Sequence, residues 1–232
     1  MIWTGKKVML TGGSSGIGLE LLKQLTDLGA EVVFCGKEAD KVEKVIQQTS
    51  AKGITVDLST EDGILTYFNY AIEKLSTVDL LINNAGFVIV AGIEELKRTD
   101  FELMYAVNVI APARLVQLCL PYFKSQTYGD IVNIGATGGS YGFENGAAYA
   151  SSKAALLNLS QTLVKELRKD NIRVYHVDPS WTTGTFNNNL GGEIPLDENK
   201  LTAEDIAEVI ISNLSLKRRA FVPQLSVWAT NP

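Results

Sequence analysis

The chain has one histidine, His176, and two cysteines, Cys35 and Cys119, in 232 residues. So few soft ligands leave no cluster for a structural or catalytic metal, and a disulfide framework has nothing to build on. The cysteines fall in a strand-like and a helix-like context and read as small core residues, which fits a reducing cytoplasm. Basic residues are outnumbered, 21 Lys and Arg against 26 Asp and Glu, for a formal net charge of −5. That balance gives no electrostatic footprint for nucleic acid. No apolar run reaches membrane-spanning length, and the N-terminus lacks the apolar stretch of a signal peptide, so no membrane partner is expected. Linkers rich in Pro or Ser, charge blocks and internal repeats are missing too. The length therefore suits one α/β domain over residues 1–232.

What the chain does have is glycine in the right place. An apolar strand (Val8, Met9, Leu10) runs into Thr11-Gly12-Gly13-Ser14-Ser15-Gly16-Ile17-Gly18, and an amphipathic helix follows at once. Unpaired N–H groups at a helix start carry the positive end of the macrodipole and receive phosphate. Gly12 allows the tight turn, Gly16 the approach of a pyrophosphate, and Gly18 close packing of helix on strand.

Beyond the loop, short apolar runs alternate with helical periods, the pattern of a doubly wound, Rossmann-like parallel sheet of about seven strands with helices on both faces. Strands are expected at Val8–Leu10, Glu31–Cys35, Ile54–Val56, Val78–Ile82, Asp130–Ile134, Arg173–Val177 and Ala220–Val222. Helices are expected at Ile17–Leu28, Ala39–Thr49, Glu61–Leu75, Phe101–Phe123, Ala147–Lys169 and Ala203–Leu214. Such folds bind ligands at the carboxyl ends of their strands, and the unusual residues gather there. Asp57-Leu58 follows strand three, placed to bond an adenine amino group. Asn83-Asn84-Ala85-Gly86 follows strand four and suits the bracing of a turn beside a cofactor. Gly135 to Ser140 follows strand five, and the next helix carries Tyr149 and Lys153. These two share a face at i and i+4, and the cation is expected to pull the tyrosine pKa below its reference of about 10. Tyr70 and Lys74 repeat the spacing but precede strand four, away from the ligand edge, and read as surface.

Taken together, Thr11 to Gly18, Asp57, Asn83 to Gly86, Asn108 within Tyr105 to Val109, and Tyr149 with Lys153 resemble the short-chain dehydrogenase/reductase family over nearly the whole chain. The resemblance implies a nicotinamide cofactor and hydride transfer between its C4 and a carbonyl or alcohol carbon. It makes Tyr149 the general acid/base. Lys153 would lower its pKa and hold the nicotinamide ribose, and Asn108 would hold a water of the proton relay. Cofactor contacts would come from Gly12, Ser14, Ser15, Gly16, Ile17, Gly18, Asp57, Leu58, Asn84, Ala85, Gly86, Tyr149, Lys153, Pro179 and Thr182. A homodimer or homotetramer, paired through the two long helices, is the family expectation.

Three departures stand out. Where the family has a catalytic serine, thirteen residues before the tyrosine, this chain has Ala136. Losing one such donor commonly costs about 10²–10³ in rate. Thr137 or Ser140 on the same loop could supply the hydroxyl; otherwise the chain is an engineered Ser→Ala variant or has lost catalysis. Pro179-Ser180 replaces the usual Pro-Gly, and Gly184, between Thr183 and Thr185, replaces the usual threonine. Finally, the substrate loop at about 184–200 is short. With Asn187, Asn188, Asn189, Gly191, Gly192 and Pro195, it reads equally as a polar lid or a plain surface loop.

Strand two ends Cys35-Gly36-Lys37. An NAD enzyme of this fold places an acid there for the ribose 2′-OH; here that position is Gly36, and Lys37 can pair with a 2′-phosphate. Against this, Glu38 could partly neutralise Lys37, and Ser15 stands where NADP-preferring relatives often carry a cation. NADP(H) is favoured over NAD(H). Trp181, Phe186, Tyr141 and Phe143 could line an apolar substrate pocket. His176, inside strand six, reads as a neutral core or edge residue, and Trp3 and Trp228 as packing or a subunit contact. The expected activity is an NADP(H)-dependent reductase for a small, largely uncharged carbonyl or alcohol. The alternative is a catalytically silent NADP(H) sensor or partner-binding subunit.

Overall fold

A computed structural model of the chain describes residues 3–183, 197 and 199–230, with the backbone of two-residue strands at 186–187 and 192–193. Seven strands form one sheet: β1 (Lys7–Thr11), β2 (Glu31–Gly36), β3 (Lys52–Thr55), β4 (Leu80–Asn83), β5 (Gly129–Ile134), β6 (Ile172–Pro179) and the last strand, β11 (Gln224–Val227). Their order is β3-β2-β1-β4-β5-β6-β11, and every neighbouring pair is parallel. Because strand side chains alternate, β1 sends Val8 and Leu10 to one core and Met9 to the other. The first core is closed by α1 (Gly16–Asp27), α2 (Ala39–Gln48) and α8 (Ala203–Leu214). The second is closed by α3 (Glu61–Leu75), α5 (Ala111–Ser125) and α7 (Ala147–Leu167). The strand order reverses between β1 and β4, which opens a crevice at their carboxyl ends.

Three sequence expectations need correction. The helix expected at Phe101–Phe123 is α4 (Arg98–Tyr105) and α5 joined by a π-turn at Ala106–Ile110. A hydrophobic pattern does not register the one extra residue that such a turn inserts. The whole stretch Arg98–Ser125 is long and apolar enough to cross a membrane by length and composition, contrary to the reading that no run is. Within this fold it buries Met104, and its Leu115, Val116, Cys119 and Phe123 join the second core. The final strand lies at Gln224–Val227 rather than Ala220–Val222. Asn213 of α8 takes both main-chain groups of Val222 (2.9 and 3.2 Å), so pairing with β6 starts at the Pro223 carbonyl, which accepts from His176 N at 2.8 Å.

Short elements complete the chain: α6 (Thr137–Ser140), β7 (Thr182–Thr183), β8 (Phe186–Asn187), β9 (Gly192–Glu193) and β10 (Leu201–Thr202). β7 pairs in parallel with β10, and β8 with β9 in antiparallel. The lid-like features at Gly184, Thr185, Asn188, Asn189, Gly191 and Pro195, and the ring of Phe186, lie outside the described residues. Cys35 and Cys119 are both buried and free, and burial pushes the Cys35 thiol up to about 12.

Candidate active site

The crevice is built around the tripeptide Asn84-Ala85-Gly86 that leaves β4. On one side it meets the glycine loop. Gly12 has φ +69°, and a Cβ there would stand 2.9 Å from Ala85 Cα; a Cβ on Gly18 would stand 2.1 Å from the Gly12 carbonyl oxygen. No side chain larger than hydrogen fits either place. Thr11 Oγ1 accepts from the N–H groups of Asn84 and Ala85, both at 3.0 Å, and Asn84 Nδ2 donates back to the carbonyls of Thr11 and Gly12. The loop is thus clasped by side-chain amide and hydroxyl, as the bracing reading anticipates. It feeds α1, whose N-cap Ser15 makes no side-chain cap and whose first turn carries no acid. The α1 start therefore keeps N–H donors directed at the crevice.

On its other side the tripeptide meets the catalytic candidates. A Cβ on Gly86 would lie 3.6 Å from both Lys153 Nζ and Asn108 Oδ1. Asn108 sits in the π-turn, fully buried, and donates both amide hydrogens, to Phe87 O (2.9 Å) and Ser152 Oγ (2.9 Å), while accepting from Phe87 N. Its side chain fastens β4's exit to α7 and keeps no hydrogen for a water.

Lys153 is 4% exposed and donates to the Ile134 carbonyl at 2.8 Å, with Nζ 5.8 Å from the Tyr149 ring centre. Burial lowers its pKa to about 8, against the opposing pull of Asp178. Tyr149 moves the other way: burial, then the Asp178 charge, raise it to about 12. The expectation that Lys153 pulls the phenol below its reference is therefore corrected. The ammonium is turned to a main-chain carbonyl, and the nearby negative charge and loss of water govern the tyrosine.

Sequence reasoning missed Asp178. Its carboxylate is 1% exposed and accepts from Ala136 N at 3.1 Å, so the β5 exit loop is held from β6. Its place at the end of a buried strand, just before Pro179, was the available signal. Ala136 is extended (φ −166°) and half-buried at the head of α6. Thr137 follows it and is also half-buried; Ser140 is exposed at the far end of that turn. A Cβ on Gly139 would stand 2.8 Å from the Lys153 carbonyl carbon, which shows how tightly the turn lies on α7.

At the far end of the crevice, Lys37 Nζ pairs with Asp57 Oδ2 at 2.8 Å, and that contact holds Asp57 down at about 2. Asp57 also takes the Ser59 N–H, and Leu58 is buried beside it. A Cβ at Gly36 would stand 2.6 Å from Ser14 Oγ and 2.8 Å from Val42 Cγ2, so an acidic side chain there has no room unless both move. Pro179 closes β6, and Thr182 is buried with its hydroxyl donating to Ser180 O. Tyr141, Phe143, Trp181 and Trp228 stay between 43% and 66% exposed, open to a ligand. Phe143 stacks edge-on against Tyr149 and Tyr141 against Trp228, with ring centres 6.3 and 6.2 Å apart. Trp3, by contrast, is buried and donates to Ser215 Oγ.

A parallel sheet with this strand order and this glycine-clasped crevice defines a Rossmann-like α/β scaffold. The family model for short chain dehydrogenases matches residues 6–214. The chain belongs to that family and is an oxidoreductase. An uncharacterized oxidoreductase of Staphylococcus epidermidis is 27% identical over 226 residues, 96% of each chain. One of Staphylococcus aureus is 28% identical over 233 residues, covering 97% of this chain and 98% of its own. Among solved structures, a metagenomic short-chain oxidoreductase in complex with NADP superposes with a TM-score of 0.86 at 26% identity, covering 100% of both chains. An alcohol dehydrogenase of Thermococcus sibiricus complexed with 5-hydroxy-NADP gives 0.88 at 22% identity, covering 98% of this chain and 97% of its own, a likeness of fold alone.

Proposed function

We propose that the protein is an NADP(H)-dependent reductase of small, largely uncharged carbonyl compounds. One observation carries the reading: a single tripeptide, residues 84–86, touches the glycine loop on one side and Lys153 on the other. A dinucleotide lying across it with its pyrophosphate at the α1 start would bring its nicotinamide to Tyr149. Gly12, Ser14, Ser15, Gly16, Ile17 and Gly18 would receive the pyrophosphate. Asp57, Leu58, Asn84, Ala85, Gly86, Pro179 and Thr182 would complete the contacts. Lys37 and Ser14 would take a 2′-phosphate, with Lys37 exchanging its exposed partner Asp57 for the stronger dianion; an exposed pair of that kind is worth under about 1 kcal/mol. An NADP complex of a relative 26% identical supports the same choice.

The cofactor supplies the hydride when bound. The chain does the rest. Tyr149, kept protonated by burial, gives its phenolic proton to the substrate oxygen as the carbonyl carbon is reduced. That protonation state suits reduction better than alcohol oxidation, which would need the phenolate. Lys153, bonded to the Ile134 carbonyl, would hold the ribose. Asn108 keeps the β4 exit and α7 in register, and a relay water near it would have to sit at an acceptor, because both amide hydrogens are engaged. Tyr141, Phe143, Trp181 and Trp228 offer rings to an apolar substrate.

Ala136 favours a second reading, a nucleotide-binding sensor or partner subunit without turnover. NADPH oxidation followed against ketones, aldehydes and diketones, with the native chain and Ala136→Ser in parallel, separates the two. Turnover by the native chain supports the reductase; turnover in Ala136→Ser alone, with NADPH bound by both, makes the native chain a disarmed enzyme; NADPH binding with no turnover by either supports the sensor. We further infer a homo-oligomer paired through the outer faces of the long helices, since only 39% of the apolar window in Arg98–Ser125 is buried and Ile110 is 57% exposed. A cytoplasmic location agrees with two thiols kept reduced and inside.

A further inference from the structure

A chain of buried polar side chains crosses the sheet beneath the site and has no part in the mechanism above. Asn83 Nδ2 donates to Asn133 Oδ1 (2.8 Å), and Asn133 Nδ2 donates to Ser160 Oγ (2.9 Å). Ser160 Oγ lies 3.0 Å from His176 Nδ1, and His176 Nε2 lies 2.8 Å from Asp178 Oδ1. The same Asp178 oxygen accepts the Ala136 N–H. All five side chains are at most 2% exposed.

At one end the direction of these bonds is fixed: the Asp178 carboxylate has only lone pairs to offer, so His176 Nε2 donates to it. At the other, Asn133 Nδ2 donates to Ser160 Oγ, and the single Ser160 hydroxyl hydrogen has two acceptors in reach, the Leu156 carbonyl at 2.7 Å, one helical turn back, and His176 Nδ1 at 3.0 Å. The ring is thus held at both nitrogens, between α7 and the end of β6.

We propose that His176 and Asp178 form a buried hydrogen-bonded brace that fixes the loop carrying Ala136 and Thr137 over Lys153, with His176 acting as a positioning residue. The loop comes close enough only because position 135 is glycine: a Cβ there would stand 2.3 Å from both Asp178 Oδ1 and His176 Nε2. The loop is thus held at its start by the brace and at Gly139 by the backbone of α7. Asp178 also faces the reacting groups, and its charge raises the pKa of both Tyr149 and Lys153.

The chain's single histidine makes the test clean. Nitrogen-15 NMR of the native protein should show a hydrogen on His176 Nε2; a bare Nε2 overturns the proposal. Asp178→Ala removes the acceptor of both the ring and the Ala136 N–H, and should speed hydrogen exchange at the Ala136 amide by on the order of tenfold or more. Unchanged protection in that variant overturns the proposal too. Gly135→Ala should speed hydrogen exchange at the Ala136 amide by on the order of tenfold or more, while unchanged protection counts against the brace. None of these readouts needs turnover. A last one rests on the reductase reading: Asp178→Asn should lower kcat and move its alkaline limb to lower pH, with KM for NADPH unchanged. If KM for NADPH moves in step with kcat, the pair is only structural. Failure of the reductase reading would appear instead as no turnover with the Nε2 hydrogen and the Ala136 protection intact.

Discussion

Tyr70 with Lys74 and Tyr149 with Lys153 are the same four-residue spacing on two helices, and their geometries are close: ammonium to ring centre is 5.3 Å in the first and 5.8 Å in the second. Their surroundings differ in every other respect. Lys74 is half-exposed on the surface of α3, where Glu73 raises its pKa. Lys153 is closed off beneath the β5 exit, its pKa lowered to about 8 by burial, beside a phenol raised to about 12 and a carboxylate at 1% exposure. A sequence pattern can put two groups on one helix face. What gives them chemistry is the removal of water and the neighbours the fold supplies.

The comparison can be sharpened or broken by substitution. The largest effect is expected at the position that departs from the family. Ala136→Ser should raise kcat for carbonyl reduction by about 10²–10³ and leave NADPH affinity unchanged. A rate that does not move would direct attention to Thr137. Next, Lys153→Met should lower kcat/KM by about 10² or more in steady-state assays. It should also raise stability against urea at pH 7 by roughly 1–2 kcal/mol, the burial cost of the charge less the lost bond to Ile134. The sign follows from the lowered pKa. Below pH 8 the lysine is charged in folded and unfolded chain alike, and the fold carries its burial; that cost fades between pH 8 and 10.5, where the folded chain releases the proton first. The stability advantage of the variant should therefore shrink over that interval. Lys37→Asp should cut the NADPH-over-NADH preference by about tenfold in paired titrations, through lost attraction and added repulsion at the 2′-phosphate. Smallest of all, Lys74→Met should change neither rate nor stability beyond about 0.5 kcal/mol.

Much of this was legible in the residues. The glycine loop, the alternation of strands and helices, and the position of Tyr149 after strand five follow from periodicity and from where Rossmann-like sheets bind ligands. The π-turn at Asn108 was not legible, because one inserted residue leaves the apolar pattern of the helix intact. The last strand was misplaced because an apolar triplet, Ala220 to Val222, outscored the polar Gln224 that in fact pairs with His176. The electrostatics were read with the wrong sign: proximity of Lys153 to Tyr149 was visible in the spacing, whereas burial and Asp178 arise only when β6 is laid beside β5. His176 looked like ordinary core for the same reason, since its partners Ser160 and Asp178 come from α7 and from β6 itself, and the link to Ala136 depends on the fold.

The most direct test sets the two tyrosines against each other. Tyr149→Phe and Tyr70→Phe are assayed side by side for NADPH-dependent carbonyl reduction, with NADPH binding followed by fluorescence. Loss of turnover in the first, with cofactor binding retained, and native turnover in the second is the predicted result. Full turnover in Tyr149→Phe, or its loss in a folded Tyr70→Phe, would contradict the account.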